Sequence, residues 1–364
     1  MNLGELKERA QKAAEQFQIP AATKIEPFGE GKINQTFLVD GLYVLQRINP
    51  EVFGDPGIIV DNMLVVSQHL RKKALVGLNG LDSLQLIPTK RGEWLYSNGD
   101  GSAWRLTHYV RETTTFQTIQ NAQHAFEMGR MLGVFHECLA DLDCGLEQTI
   151  QGFHNTPEYL SHLRQALKEE HPDPDIERRK NHPEIGDLIE VILAREARMN
   201  QLSEILKKKG GKGQPIHGDP KVNNFLIDDR TGKGKGIVDW DTLMMGSRHL
   251  DIGDCLRSAC NKIGSDTFGP EDADLDLDIL RSIMAGYVHS SETWTRDDTE
   301  CAIIGVNLIA MELAIRYLTD FLMGDVYFRS DEHSSNLYRA WSNAFLMIKV
   351  ENKEEEMREI LCSL

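Results

Sequence analysis

The pattern of apolar residues changes near residue 111, and this change constrains the fold more than any other feature. Before it, short apolar runs separated by turns predict strands at 24–28, 36–39, 42–48, 84–88, 94–96 and 103–110. Asp40-Gly41, between the second and third runs, is typical of a two-residue hairpin turn. One helix is predicted here, over 58–73. Residues 1–110 therefore predict a lobe built on an antiparallel sheet.

Helical periodicity dominates the rest of the chain. Helices are predicted over 122–139 and 185–208, and Gly210-Gly211 is a suitable end for the second of them. Residues 215–242 interrupt this pattern with two short apolar runs around a polar turn, and helix resumes from residue 250. The expected fold is α+β, with the sheet lobe followed by a larger, mainly helical lobe over residues 111–364.

Length and charge narrow the functional class. A chain of 364 residues is too long for one small core. Its 40 Lys and Arg against 56 Asp and Glu give a net charge of −16, so neither a nucleic acid nor an anionic membrane is a predicted partner. The longest apolar stretch, 302–315, is too short to span a bilayer. The start of the chain lacks a secretory signal pattern, so a cytoplasmic protein is expected.

The strongest chemical pattern lies in the interruption. His217-Gly218-Asp219 is followed five residues after the aspartate by Asn224, and a later apolar run ends in Asp239-Trp240-Asp241. Phosphoryl transfer needs one carboxylate to accept a hydroxyl proton, and an amide oxygen with a second carboxylate to hold a divalent cation against nucleotide phosphates. Taken alone, the Asp-Pro step at residues 219–220 would equally open a turn. Asp251, at the start of a predicted helix, is interpreted as its N-cap.

This pattern resembles a known family. His-x-Asp-x-x-x-x-Asn followed by Ile-Val-Asp is similar to the catalytic and metal loops of the aminoglycoside phosphotransferase and choline kinase-like superfamily, which has the protein-kinase fold. Residues 215–226, 45–49 and 315–320 are similar to its bacterial N-acetylhexosamine 1-kinase branch. The resemblance implies a two-lobed kinase that uses ATP and Mg²⁺, with Asp219 as catalytic base and Asn224 and Asp239 as magnesium ligands. Asp241 either binds a second metal or braces the loop.

Candidate nucleotide contacts lie in the first lobe. By the resemblance, the segment 29–34 covers the ATP phosphates, although it is not G-x-G-x-x-G. The strand lysine of protein kinases is missing, and the choice between Gln46 and Arg47 as its replacement stays open because charge favours Arg47 and register favours Gln46. The candidate nucleotide-binding residues are Gly29, Gly31, Asn34, Gln46, Arg47 and, at the connector where adenine is expected, Tyr109 and Val110.

Candidate acceptor contacts are weaker. Arg316 lies four residues from both Glu312 and Asp320, a spacing that normally indicates a salt-bridged helix face. Resemblance to sugar kinases makes Arg316 and Asp320 candidate ligands of sugar hydroxyls, together with Thr113 and His154.

The expected activity is transfer of the γ-phosphoryl group of ATP to a sugar hydroxyl, specifically the anomeric hydroxyl of an N-acetylhexosamine. An amino alcohol or an aminoglycoside is the alternative acceptor. A non-catalytic nucleotide-binding scaffold or a metal-dependent hydrolase using Asp219, Asp239 and Asp241 are the alternatives of a different class. The oligomeric state is left open.

Overall fold

The structure, a computed structural model, describes residues 3–29, 33–76, 81–82, 84–99, 101–208, 210, 213–262, 272–328 and 335–364. The helices are α1 Leu3–Ala14, α2 Pro56–Leu75, α3 Ala122–Leu139, α4 Thr156–Lys168, α5 Pro174–Glu177, α6 Pro183–Leu193, α7 Gln201–Lys208, α8 Arg248–Cys260, α9 Leu277–His289, α10 Asp298–Leu322, α11 Ser335–Asn352 and α12 Glu354–Cys362. The strands are β1 Ile25–Pro27, β2 Gln35–Val39, β3 Tyr43–Ile48, β4 Tyr96–Ser97, β5 Ala103–His108, β6 Thr113–Thr114, β7 Gln214–Ile216, β8 Phe225–Asp228, β9 Gly234–Ile237 and β10 Met244–Gly246. The predicted α+β arrangement, a sheet lobe followed by a larger helical lobe, is confirmed.

The N-terminal sheet is antiparallel, with strand order β1-β2-β3-β5-β4. Its predicted hairpin is present, and Asp40 and Gly41 have φ of 51° and 66°. Three residues rather than two separate the paired Val39 and Tyr43. This left-handed pair gives the turn a twist that matches the strands. The expected strand at 84–88 is wrong, since that segment makes only one isolated bridge, between Leu86 and Thr107.

The two faces of this sheet pack differently. One face packs on α1 through a core that includes Phe37, Leu45, Trp104 and Leu106. Residues that pair directly across strands share a face, so the register Gln46↔Arg105 places both side chains on the opposite face. That second face looks toward α2 and the helical lobe.

Helix α2, of the sheet lobe, packs against the helical lobe. Asp55 caps its N-terminus by accepting a hydrogen bond from the Gly57 amide at 2.8 Å, and Pro56 follows at the first helical position. Its buried Met63 belongs to the same core as Phe135 and Trp240 of the helical lobe. The sheet lobe is therefore tied to the larger lobe through apolar contacts.

The larger lobe packs helices at close range. A Cβ at Gly129 of α3 would come within 1.7 Å of the Ile283 carbonyl oxygen, and one at Gly286 of α9 within 2.0 Å of the Phe126 carbonyl oxygen. These two positions need glycine because the backbones of α3 and α9 touch there. Helix α10 is long and apolar enough to cross a membrane by length and composition, but 83% of its most apolar window is buried within the fold.

The single helix predicted over 185–208 is wrong, because α6 ends at Leu193 and α7 begins at Gln201. The Arg195 side chain explains the break. Its guanidinium donates to the Val191 carbonyl at 2.8 Å. The backbone amide of Arg195 therefore donates to the Ile192 carbonyl, at 3.0 Å, instead of to Val191. The carbonyl that a continuing helix would use is thus taken, and the guanidinium also pairs with Glu351 of α11.

Candidate active site

The loop after β7 carries Asp219. Gly218, with φ of 85°, lets the chain turn there, and a Cβ at this position would lie 2.5 Å from the Thr242 carbonyl oxygen. The next residue, Asp219, has a half-buried side chain with a relative exposure of 30%. Its carboxylate oxygen lies 2.8 Å from the Lys221 ammonium.

A buried aspartate on α8 fixes this loop. The two carboxylate oxygens of Asp251 accept hydrogen bonds from the amides of His217 at 2.7 Å and Gly218 at 2.8 Å. The His136 ring contacts the same carboxylate at 2.9 Å. Burial alone would raise the pKa of Asp251, but the contacts with His136, His217 and the Gly218 amide together lower it. The interpretation of Asp251 as an N-cap is wrong, since Ser247 caps α8.

We expect Asp251→Asn to lower the free energy of unfolding by about 3 kcal/mol, because an amide cannot accept both backbone hydrogen bonds and leaves His136 without its carboxylate. Urea unfolding measures this loss. Asp187→Asn, on the exposed side of α6, is the control and should change stability by less than about 0.5 kcal/mol. Equal stabilities of the two variants would contradict the bracing role.

Asn224 and Asp239 lie close to the Asp219 loop. The Asn224 amide nitrogen donates to the Asp219 carbonyl at 2.7 Å, which leaves the amide oxygen without a hydrogen-bond donor in the described part of the chain. The Val238 amide donates to the Asn224 carbonyl at 2.8 Å, so the β8–β9 hairpin brings Asp239 to the same place. Asp239 takes up a left-handed conformation there, with φ of 67°.

The charges of this group fit an oxygen-preferring divalent cation. Burial, together with the neighbouring carboxylates of Asp241 and Asp219, raises the pKa of Asp239 to about 6, against the opposing effect of Lys221. A carboxylate crowded by like charges is stabilised by a cation, and Mg²⁺ needs few protein ligands when phosphates supply the rest. Within the described residues, no group of three or more His, Cys, Asp or Glu side chains is arranged to hold a metal. The amide oxygen of Asn224 and the carboxylate of Asp239 have the donor chemistry that such a cation requires.

Asp241, two residues further on, is buried and already engaged. It pairs with the Arg105 guanidinium and accepts a hydrogen bond from the Asn34 amide. Asn34 in turn accepts from the Asn49 backbone amide at 2.9 Å. Of the two roles that the sequence left open for Asp241, these contacts support bracing of the loop.

The segment predicted to cover the phosphates is described only in part. Gly29 has φ of 75°, whereas Gly31 lies outside the described residues.

Arg105 is the residue that the sequence reasoning missed. It is 2% exposed, and its guanidinium donates to Gln46 Oε1 from Nε at 3.0 Å and from Nη2 at 2.7 Å. The sequence feature that could have identified it is a lone arginine in a strand expected to be buried on both faces, because a buried charge requires a partner. Arg47 lies on the other face of the sheet, where it donates to Gln35 at 3.2 Å.

The connector leaves part of its backbone available. The Tyr109 amide is bonded to the Leu42 carbonyl at 2.9 Å, and the Thr113 hydroxyl donates to the Val110 carbonyl at 2.8 Å. The Tyr109 carbonyl and the Val110 amide have no hydrogen-bond partner among the described residues. These two groups, rather than the whole connector, are therefore open to an adenine edge, and Thr113 acts on the connector itself.

A charged cluster lies on the other side of the Asp219 loop. The His154 ring contacts the Gly218 carbonyl at 2.9 Å and the Glu312 carboxylate at 3.2 Å. Glu312 is 1% exposed and lies 3.6 Å from the Arg316 guanidinium. A chain of contacts thus runs from the loop beside Asp219 to Arg316.

Aromatic rings enclose Arg316. The rings of Phe153, Tyr159, Tyr327 and Phe328 have their centroids 5.1–5.4 Å from its guanidinium carbon, a distance that allows cation–π attraction. Asp320 supports this cage: its carboxylate accepts hydrogen bonds from the Tyr327 and Phe328 amides, both at 2.8 Å. Because those oxygens are used by the loop, Asp320 is placed as a support of the cage rather than as a sugar ligand.

The charge of His154 makes stability depend on pH. Burial opposes charging of the ring, but the Glu312 carboxylate outweighs it and raises the pKa of His154 to about 9. A raised pKa contributes stability that is complete below the unfolded value near 6.5 and is lost as pH rises through about 9. We expect the stability advantage of the wild type over His154→Gln to shrink between pH 6.5 and 9.5 in urea unfolding. A constant advantage would show that the ring is neutral.

Comparison with known proteins shows the family and the fold of the chain. The phosphotransferase enzyme family matches residues 24–283. Among solved structures, a microcompartment-associated aminopropanol kinase is similar at 15% identity and a TM-score of 0.66, over 96% of this chain and 98% of that one. An aminoglycoside phosphotransferase from Alicyclobacillus acidocaldarius is similar at 15% identity and 0.58, over 96% of each chain. An amicoumacin kinase in complex with AMP-PNP, Ca²⁺ and Ami is similar at 14% identity and a TM-score of 0.59, over 98% of this chain and 96% of that one. These likenesses establish a protein kinase-like fold.

Proposed function

The chain belongs to the phosphotransferase enzyme family, and on that premise we propose that it is an ATP-dependent sugar kinase. It transfers the γ-phosphoryl group to the anomeric hydroxyl of an N-acetylhexosamine. Support for phosphoryl transfer comes from the half-buried carboxylate of Asp219 beside the amide oxygen of Asn224 and the carboxylate of Asp239. Transfer to a hydroxyl needs little covalent chemistry from the protein, so positioning and charge are its main contributions.

Each residue has a distinct task in this proposal. Asp219 orients the acceptor hydroxyl and accepts its proton as the oxygen attacks in line. Asn224 and Asp239 would hold Mg²⁺, which neutralises charge on the nucleotide phosphates when bound. Lys221, 2.8 Å from Asp219, orients this carboxylate. An anomeric hydroxyl is more acidic than an ordinary alcohol, so an ordinary carboxylate suffices as base.

The proposed acceptor class rests on one observation: two positively charged side chains, His154 and Arg316, lie in the cluster next to the Asp219 loop. His154, with its pKa raised to about 9, and Arg316 share the single carboxylate of Glu312. Arg316 also fills the aromatic cage that could otherwise enclose an ammonium group. A cationic acceptor would meet repulsion there, whereas a neutral sugar would not.

Product analysis tests the proposal directly. The protein is incubated with ATP, Mg²⁺ and a pooled mixture of sugars, and the products are examined by phosphorus NMR. An anomeric sugar phosphate is the expected product. A phosphate ester at another carbon would reject the anomeric assignment, and free phosphate formed without a second substrate would indicate a hydrolase.

A parallel panel separates the acceptor classes. ADP release is measured with N-acetylhexosamines, other neutral sugars, amino alcohols and aminoglycosides at equal concentration. We expect the neutral sugars to give the higher kcat/KM. A preference for the amines would reject the sugar proposal. If no compound in the panel gives ADP release, a non-catalytic scaffold is favoured.

A further inference from the structure

We propose that Arg105 of β5, held between Gln46 and Asp241, replaces the β3 lysine of protein kinases as the ion-pairing cation of the sheet. The arginine is a positioning residue in this arrangement. It fixes the position of Asp241, and through the loop that of Asp239, for binding of a metal–nucleotide complex. The inference rests on the proposed nucleotide-dependent function, but it concerns nucleotide binding and is independent of the acceptor.

The register of the sheet supports this assignment. Gln46 stands where the motif places the kinase lysine, and its direct cross-strand partner is Arg105. The cation has thus moved to the neighbouring strand while remaining on the same face of the sheet. Gln46, which carries no charge, accepts two hydrogen bonds from the arginine, at 3.0 and 2.7 Å, and so fixes the plane of the guanidinium.

The ion-pair partner of the cation has also changed. Protein kinases pair the strand lysine with a glutamate on the helix of the first lobe. Here the residue of α2 next to Arg105 is Met63, whose sulfur lies 3.2 Å from Nη1, and the carboxylate comes from Asp241. The pair therefore connects the sheet directly to the metal loop, and its formation does not depend on movement of α2.

Burial makes this pair consequential. The side chains of Arg105 and Asp241 are 2% and 5% exposed, so losing either partner leaves an unpaired charge away from water. Asp241 also accepts from Asn34, at the end of the loop expected to cover the phosphates. One carboxylate thus links the sheet, that loop and the metal site, and the arginine sets its position.

Calorimetric binding of MgAMP-PNP tests the proposal without using turnover. We expect Arg105→Met to weaken binding by at least about tenfold, and Arg105→Lys to retain part of the affinity because it keeps the charge but loses the planar fork. Arg195→Ala removes another arginine–carboxylate ion pair, with Glu351 of the helical lobe, whose side chains are 20% and 15% exposed. This control should lower the melting temperature and leave MgAMP-PNP affinity unchanged.

Gln46→Glu covers the case in which Arg105→Met does not fold. It keeps the arginine buried and paired, but offers it a second carboxylate that competes with Asp241, so weaker MgAMP-PNP binding is again expected. Wild-type MgAMP-PNP affinity in a folded Arg105→Met variant or, where that variant does not fold, in Gln46→Glu would overturn the inference. If the wild type itself binds no nucleotide, the proposed function fails instead, so the two failures are distinguishable.

Discussion

Replacing Asp219 by asparagine is expected to reduce kcat by about 10²–10⁴-fold, because the variant keeps the shape of the side chain but cannot accept the hydroxyl proton. Binding of MgATP should remain largely unchanged, since the proposed metal donors are Asn224 and Asp239 and the loop is held by Asp251 through backbone amides. Steady-state kinetics and calorimetry on the same preparation separate the two quantities.

The matched control for Asp219→Asn is Asp229→Asn. Asp229 is exposed on the β8–β9 hairpin, where it accepts a hydrogen bond from the Thr114 hydroxyl at 2.7 Å. This change removes the same charge from the same region and should leave kcat near its wild-type value. Turnover of Asp219→Asn equal to that of the control would refute the base assignment.

Asp239→Asn is expected to have two effects of opposite sign. The first is a loss of kcat/KM for MgATP by about 10²–10³-fold, because a charged group that stabilises the transferred phosphates through the metal is removed. The second is a gain in stability of the nucleotide-free protein at pH 8. Kinetics measured against Mg²⁺ concentration and urea unfolding report the two effects separately.

The gain in stability follows from the sign of the pKa shift. The pKa of Asp239 is raised from 3.8 to about 6, chiefly by burial and then by Asp241. Stability is therefore lost as pH rises through about 6, and the neutral asparagine avoids that loss at pH 8. At pH 4 the two proteins should differ little. A variant that is less stable than the wild type at pH 8 would contradict the crowding of carboxylates at this site.

Local patterns predicted individual elements in both lobes. The hairpin at Asp40-Gly41 in the sheet lobe and the helix over 122–139 in the helical lobe are correct predictions because turn chemistry and apolar periodicity act within a few residues. The helix break near Arg195 could not be foreseen, since it depends on a side chain that competes for the Val191 carbonyl and on Glu351 far along the chain. Tertiary contacts decided that element.

The candidate site divides in the same way. Asp219, Asn224 and Asp239 are recognisable from spacing because one hairpin brings them together. Arg105 is not, because its role arises only when β5 pairs with β3 and the metal loop supplies Asp241. The choice between Gln46 and Arg47 likewise required the register, which places Gln46 on the face that Arg105 shares.

The most direct test of the account is a crystal structure of the protein with AMP-PNP, Mg²⁺ and an N-acetylhexosamine. We predict that the side chains of Asn224 and Asp239 coordinate the metal and that an Asp219 carboxylate oxygen lies within hydrogen-bonding distance of the anomeric hydroxyl. A metal bound by other residues, or an acceptor hydroxyl beyond the reach of Asp219, would contradict it.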